Sequence, residues 1–321
     1  MNWQDLKKRW GLHERVHHVP FVTPVVALEL QPGFVTGARL NPGKGHVERA
    51  GIRQLDAGAL VPSPNRPNLT NLAAVKRAVG EVAALLGNGS DRLGLLIPDV
   101  SVRVALLNFE TLPENRREEE TVVRWRLREF LPYAPEEARV SYQVVAKQAN
   151  GAEVLAMAVR ASVLAEYEAA LEGINGGPAL VLSATAALLP LLPEEKTAQL
   201  LLHLCPGSLT TVLVVMNRIC LWRTRPFTDE SEDVAGEVVR EGVRSVATCQ
   251  DQFGTEAQRV WFCARPPAAN GLKERLAGAL GREVLPLRWD PASATGLSGD
   301  ERETFQHFGV PFAGLLANPG E

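Results

Sequence analysis

The chain has 321 residues, with 34 lysines and arginines against 37 aspartates and glutamates and a formal net charge of -3. A chain of this length forms one large domain or two ordinary ones. Its 45% of hydrophobic residues argues against a mainly disordered protein. The near balance of charges argues against a nucleic-acid-binding protein, which usually carries a strongly basic domain.

The four cysteines form no Cys-x-x-Cys pair, and no histidine stands at a metal-ligand spacing from them. This pattern favours reduced structural thiols over a zinc site. No apolar run reaches the about 18 residues of a membrane span. The N-terminus lacks the apolar stretch of a signal peptide. We therefore expect a cytoplasmic protein.

The N-terminal segment, residues 1–20, places Trp3, Leu6 and Trp10 at helical spacing with three basic residues between them. This pattern predicts a short amphipathic helix that could lie on an anionic membrane surface. The alternative is a segment that docks on the protein's own body or is a loose terminus.

Residues 21–97 are predicted to form a first α/β part. Its clearest element is a helix, because apolar residues recur every three and four positions from Leu72 to Leu86. A Pro-Gly turn joins the first two strands. The predicted elements are strands at 25–30 and 34–40, a loop at 61–71, a helix at 70–86 and a strand at 93–97.

Residues 98–178 are predicted to form a separate α+β insert. Its first helix begins with three glutamates, Glu118 to Glu120, which complement the positive helix N-terminus, and it ends before Pro132. The predicted elements are strands at 102–109, 139–145 and 154–159 and helices at 116–131 and 162–173.

After the insert, residues 179–198 are expected to return to the first part, and 199–321 to form a second lobe. The Pro- and Gly-rich tail of that lobe contains one short predicted helix. The predicted elements are strands at 199–204, 211–216, 219–223, 259–263 and 283–287 and helices at 230–253, 271–280 and 300–308.

A weak internal repeat relates the two halves. Residues 28–36, LELQPGFVT, align without gaps to residues 202–210, LHLCPGSLT, with five of nine positions identical. Each copy lies at a strand–turn–strand junction at the start of its half. Two duplicated halves that each begin with a β-hairpin are the plan of the actin-like, ribonuclease H-like fold.

Several stretches in and after the insert form a recognisable set. They are Pro98–Ser101, Leu112-Pro113, Glu118–Glu120, Arg128–Glu137, Val140–Val144 and Leu155–Val159 within the insert, Gly177-Pro178 at its end and Ser183–Leu188 beyond it. These stretches resemble the PilM family, actin-like cytoplasmic proteins of the type IV pilus inner-membrane assembly platform. The resemblance implies a two-lobed α/β protein with an α+β insert similar to that of the cell-division protein FtsA.

The PilM family binds ATP between its halves through two Asp-x-Gly loops and a Gly-Gly adenosine loop. The resemblance carries these functions to positions where this chain has other residues. The first loop corresponds to Glu29, Gln31 and Gly33, the second to His203, Cys205, Gly207 and Ser208, and the adenosine loop to Ala264 and Arg265.

These replacements predict a degenerate nucleotide site. Gln31 and Cys205 add side chains where glycine would let the backbone approach phosphate, and the proline after each removes an N–H donor. His203 replaces an oxygen ligand of Mg²⁺, which leaves Glu29 as the one acidic residue of the pair. We expect no cofactor and no catalytic residues or metal site. Mg-ATP binding stays open as an alternative.

The resemblance also implies a partner. In the PilM family, a short cytoplasmic segment of the membrane protein PilN docks between the first core subdomain and the insert, where apolar anchors and backbone hydrogen bonds would hold it. The exposed candidates on the insert helix are Val123, Trp125 and Arg128. The alternative is that Trp125 packs between the core and the insert.

Taken together, these features predict a pseudo-ATPase scaffold at the cytoplasmic face of the inner membrane, attached to it through PilN-like and other platform partners and without nucleic acid. A dimer is compatible with this function. Two alternatives remain: an active actin-like ATPase that binds Mg-ATP between the lobes, and a GspL-like cytoplasmic component of a type II secretion platform.

Overall fold

The computed structural model describes residues 24–41, 43–87, 93–148, 151–174, 177–227, 233–266, 271–289, 294 and 296–317. The predicted N-terminal helix with Trp3 and Trp10 lies outside these residues. The chain divides into two compact units: Met1–Leu191 with Trp289–Glu321, here called unit 1, and Leu192–Arg288, here called unit 2.

The elements follow the sequence-based predictions closely in most places. The strands are β1 (Val26–Gln31), β2 (Phe34–Asn41), β3 (His46–Gln54), β4 (Leu93–Ile97), β5 (Arg103–Phe109), β6 (Ala138–Gln148), β7 (Gly151–Arg160), β8 (Pro178–Ser183), β9 (Ala198–Cys205), β10 (Ser208–Val215), β11 (Arg218–Pro226), β12 (Ala257–Ala264) and β13 (Val284–Pro286). The helices are α1 (Leu72–Leu86), α2 (Arg116–Leu127), α3 (Ala161–Ala169), α4 (Val234–Phe253), α5 (Leu272–Leu280), α6 (Gly299–Phe308) and α7 (Val310–Leu316).

The main sheets of the two units have the same topology. The strand order is β3-β2-β1-β4-β8 in unit 1 and β11-β10-β9-β12-β13 in unit 2. In each sheet the first three strands pair antiparallel as two successive hairpins, and the last two are added parallel. A long helix, α1 or α4, connects the third strand to the fourth in each unit. The units are therefore copies of one α/β plan.

The sequence repeat forms equivalent hairpin turns in the two units. Gly33 has a φ of 87° and Gly207 a φ of 74°, and each follows a proline, which fits the central positions of a type II turn. The carbonyl of each glycine accepts a hydrogen bond from the residue after the third strand: Leu55 donates at 2.8 Å and Phe227 at 2.7 Å. The backbone geometry of the repeat is thus the same in both copies.

The sheet of unit 1 is covered on both faces. Helix α1 packs its apolar stripe, which includes Val75 and Val82, on the face that carries Leu28. The opposite face packs against Phe305 of α6 and Phe312 of α7. The sheet is therefore the centre of two hydrophobic cores, as expected for a sheet with parallel strands.

The C-terminal segment Trp289–Glu321 belongs to unit 1, whereas the sequence-based prediction counted it with the second lobe. Every residue of α7 is buried, and Gly314 lies so close to the 3₁₀ helix Ala186–Leu191 that a Cβ atom would overlap the carbonyl oxygen of Ala187. A helix that is apolar on all sides must be enclosed by its neighbours. Unit 1 supplies those neighbours.

The insert is a three-stranded antiparallel sheet, of order β5-β7-β6, covered on one face by α2. Val123 and Leu127 of α2 pack against Val154 and its alternate neighbours on β7. The other face of this sheet, with Met157, packs on the core that α1 covers. The insert thus shares a hydrophobic core with the rest of unit 1.

A buried polar network joins the loop before α1 to the insert. Asn68 is fully buried, and its N–H donates to the Glu166 carboxylate of α3 at 2.6 Å. Its side-chain amide donates to the Ser63 carbonyl at 2.8 Å, and its Oδ1 lies 2.6 Å from Ser101 Oγ and 3.0 Å from the Tyr167 hydroxyl. Burial raises the pKa of Tyr167, so its hydroxyl stays protonated. Each of these polar groups thereby has a hydrogen-bond partner within the protein.

Candidate functional site

The first predicted nucleotide loop lies in the β1–β2 hairpin of unit 1. Glu29 pairs across the hairpin with Thr36, and its side chain is fully buried. The Gln31 amide donates to Glu29 Oε1 at 2.9 Å. Gly33 forms the turn with a left-handed conformation. The carboxylate that the resemblance makes a magnesium ligand is thus hydrogen-bonded by the side chain that replaces a family glycine.

In unit 2, three predicted loop positions form one buried cluster. The Nε of Arg265 donates to His203 Nε2 at 3.1 Å, and Cys205 Sγ lies 3.2 Å from the same His203 nitrogen. The Nη2 of Arg265 donates to Cys205 Sγ at 3.6 Å. Because His203 Nε2 accepts from Arg265, the geometry favours the tautomer with the proton on Nδ1.

The backbone explains why residues 62 positions apart meet here. Strands β9 and β12 are parallel neighbours, and the Arg265 N–H donates to the Leu204 carbonyl at 2.9 Å, one step beyond the end of β12. His203 and Cys205 point to the same side of β9 because strand residues alternate. Arg265 reaches that side from the adjacent strand end.

The chemistry of this cluster differs from that of a magnesium–phosphate loop. Its side chains are imidazole, thiol and guanidinium groups, whereas Mg²⁺ requires oxygen ligands. The remaining predicted positions of unit 2 lie at a turn or at the end of a strand. Gly207 lies in the turn between β9 and β10, the buried Ser208 begins β10, and Ala264 ends β12.

The predicted partner residues on α2 have different exposures. Val123 is fully buried in the insert core, so the prediction that it lies on an exposed docking surface is wrong. It lies on the face of α2 that packs toward β7. Trp125 is 57% exposed and does not pack between the core and the insert. Arg128 is exposed, and its guanidinium carbon lies 5.6 Å from the centre of the Trp125 ring.

Two side chains near Trp125 and Arg128 differ in their surroundings: one is held by hydrogen bonds within the insert, and the other is exposed to solvent. Arg124 donates to the carbonyls of Pro135 and Ala138 at 3.0 and 2.8 Å, so it fixes the chain between α2 and β6. Phe130, just beyond the helix, is 45% exposed. Phe130 was not among the sequence-based candidates. The predicted helix at 116–131 contained this residue, whereas α2 ends at Leu127. Trp125, Arg128 and Phe130 are the exposed candidates at this end of α2.

Two solved structures show which class of protein this fold defines. One is a protein from Bacteroides thetaiotaomicron VPI-5482 with an actin-like ATPase fold and unknown function, at 11% identity and a TM-score of 0.54 over 92% of this chain and 95% of that chain. The second, a PilM–PilN type IV pilus biogenesis complex, has 17% identity and a TM-score of 0.75 over 92% of this chain and 97% of that chain. The chain therefore has an actin-like fold.

Within that class, the resemblance to the PilM family is confirmed at the level of the fold. A third structure, the cytoplasmic domain of EpsL from the type II secretion system of Vibrio cholerae, is less similar, with 11% identity and a TM-score of 0.44 over 76% of this chain and 83% of that chain. No protein-family model and no curated protein sequence matches the chain. Among the helices of the described ranges, none has the length and apolar character needed to cross a membrane.

Proposed function

We propose that the protein is a cytoplasmic scaffold of a type IV pilus assembly platform at the inner membrane, and that it docks the cytoplasmic tail of a PilN-like membrane protein. The observation that supports this proposal most is the likeness to the PilM–PilN complex, which extends over 92% of this chain and 97% of the other. The likeness therefore spans the insert as well as both units.

The exposed end of α2 is the proposed contact for the partner. Trp125 offers a large apolar surface with the Arg128 cation beside it, and tryptophan and arginine are the residues most often found at the energetic centres of interfaces. Phe130 extends the apolar surface. A tail with apolar anchors would bury these side chains.

Direct binding tests this docking role. A fluorescein-labelled peptide with the cytoplasmic N-terminal segment of the PilN protein from the same organism is titrated with the full chain, and fluorescence polarisation is measured. We expect saturable binding that Trp125→Ala weakens by about tenfold or more, equal to about 1.4 kcal/mol or more. Val243→Ala, at an exposed apolar site on α4, is the matched control and should bind like wild type. Absence of saturable binding would contradict the docking proposal.

We also propose that the nucleotide site is degenerate. The cluster of His203, Cys205 and Arg265 supports this proposal, because its side chains lack the oxygen ligands of a Mg²⁺ loop. Thermal unfolding is compared with and without Mg-ATP and Mg-ADP. Nucleotide at about 100 times its dissociation constant would add about 2.7 kcal/mol and several degrees to the Tm. We expect no shift at millimolar nucleotide. A saturable shift that Glu29→Gln reduces would favour the active ATPase instead.

A further inference from the structure

One end of the insert sheet carries two arginines on the same face. Arg103 begins β5 and Arg160 ends β7, and Arg103 is opposite Ala158, two residues before Arg160. Because strand side chains alternate, the two arginines lie diagonally across one face of the sheet. Tyr133, in the connection between α2 and β6, packs against the core on this face.

The two arginines have different partners. Arg160 forms an ion pair with Glu137 at 2.6 Å and donates to the Asn65 carbonyl at 2.8 Å. Arg103 forms no ion pair with any residue that the structure describes. Of these two guanidinium groups, only that of Arg160 has a carboxylate partner among the described residues.

Two buried donors of this cluster lack an acceptor. Arg103 Nε and the Tyr133 hydroxyl are both buried, and neither has a hydrogen-bond partner within the described ranges. Burial raises the pKa of Tyr133 to about 12, although the charges of Arg103 and Arg160 act to lower it. The hydroxyl is thus within electrostatic reach of both arginines and carries its proton at neutral pH. Leaving such donors unpaired costs free energy in the folded state.

We propose that Arg103, Tyr133 and Arg160 form a binding site for an oxyanion, either a carboxylate or a phosphate. An oxyanion would accept from Arg103 Nε and from the Tyr133 hydroxyl and would balance the second guanidinium charge. Arginine suits this role because its planar group donates two parallel hydrogen bonds to carboxylate or phosphate oxygens. The site is on the insert, apart from the nucleotide-loop positions, and it does not depend on the docking role proposed above.

Thermal unfolding of the full chain tests the site. The Tm is measured in sodium phosphate and in sodium acetate against sodium chloride at matched ionic strength. We expect a saturable rise of a few degrees with an oxyanion. Arg103→Gln should weaken the apparent affinity by about tenfold or more, and Tyr133→Phe by about threefold.

Arg139→Gln is the matched control. Arg139 is exposed on β6 opposite Val159, so it lies on the other face of the same sheet and should leave the anion effect unchanged. Arg103→Lys keeps the charge and should restore part of the affinity. Equal rises in wild type and Arg103→Gln, or no rise with either anion, would overturn the proposal.

The two anions also separate the sources of the ligand. A rise with phosphate alone identifies a free or lipid-borne phosphate, and a rise with acetate as well identifies a carboxylate. In the carboxylate case, peptide binding tests whether the ligand is an acidic residue of a docked tail. Each Asp and Glu of the PilN peptide is replaced with its amide, and the binding of each peptide to the wild type and to Arg103→Gln is measured. An anion effect without peptide binding would support this site and contradict the docking role. Peptide binding without an anion effect would do the reverse.

Discussion

The same strand–helix ion pair occurs in both units, but it is exposed in one and buried in the other. In unit 1, Arg53 of β3 pairs with Glu81 of α1 at 2.7 Å, and the glutamate side chain is 48% exposed. In unit 2, Arg225 of β11 approaches Glu241 of α4 at 3.5 Å, and that glutamate is 1% exposed. The arginines are equivalent, since they lie opposite Val35 and Leu209, which the sequence repeat aligns.

The difference follows from the residues that face each helix. In unit 1, Gly37 and Gly51 are cross-strand neighbours, and the side chains of α1 lie directly against them. The equivalent positions in unit 2 are Thr211 and Arg223. Arg223 donates to the Glu241 carboxylate at 2.7 Å, which provides the partner that a buried carboxylate requires.

This comparison shows that two units with the same topology differ in their interior chemistry. The buried stripe of α1 is aliphatic, with Val75, Val79 and Val82. The corresponding stripe of α4 includes Glu241 and Ser245. Strand order, turn geometry and register are the same, because backbone hydrogen bonding sets them. Side-chain packing under the helix could diverge, because each unit has its own core.

The largest expected effect comes from placing the unit 2 residue in unit 1. Gly37→Thr should destabilise the protein by about 3 kcal/mol, because even a Cβ atom at this position would stand 2.7 Å from Leu28 and 2.9 Å from Leu86 and Val82. Urea unfolding measures the change. The control is Thr211→Val at the equivalent position of unit 2. It removes a buried hydroxyl that has no hydrogen-bond partner in the described ranges. It should be neutral or stabilising, and a large loss there would contradict the packing difference.

The ion pairs themselves give the next effect. Glu241→Gln should cost about 2 kcal/mol, because it leaves Arg223 and Arg225 without their buried counter-charge while solvent screens part of the loss. Glu81→Gln should cost less than about 0.5 kcal/mol, because its pair with Arg53 is exposed. Unfolding in urea at low and high salt compares the two variants. Equal losses would show that burial does not distinguish the pairs.

The equivalent hairpin turns predict equal effects. Gly33→Ala and Gly207→Ala should each destabilise the protein by about 1 kcal/mol, because the left-handed conformation disfavours a Cβ atom. Apart from the glycine and its two chain neighbours, no atom of the described structure lies within 4 Å of that Cβ in either turn, so no packing difference adds to the cost. The same unfolding measurement on both variants checks this. A difference well above the experimental error would argue against equivalent turns.

The smallest effect at neutral pH concerns the tyrosines, which are three in number and all lie in unit 1. Burial raises the pKa of Tyr133 to about 12, and burial also raises the pKa values of Tyr142 and Tyr167. A raised pKa contributes stability below the unfolded value of about 10, and this contribution is lost as pH rises toward about 12. Tyrosinate absorbance should therefore stay low at pH 10 in the native protein. In the urea-unfolded chain it should reach half its maximum there, and similar titrations of both states would contradict the burial of these residues.

Much of the fold could be predicted from local sequence patterns. The Pro-Gly turns predict the hairpins, and the three- and four-residue spacing of apolar residues predicts helix α1. The repeat of residues 28–36 at 202–210 predicts two units of the same plan. These features are local, because turn geometry and one-sided burial depend on neighbours along the chain. The predicted nucleotide-loop positions came from the resemblance to the PilM family and not from these local patterns, and they stay a prediction.

Only the tertiary structure decided the elements and contacts that depend on distant residues. Strand β3 and strand β8 were not predicted, because their sequences lack strong alternation and they form by pairing with β2 and β4. Helix α7 contains proline and glycine and is stabilised by the enclosing core of unit 1. The burial of Val123 and Glu241, and the meeting of His203 with Arg265, follow from which face of a helix or strand the rest of the chain covers. Local periodicity does not contain that information, since it comes from contacts between segments far apart in sequence.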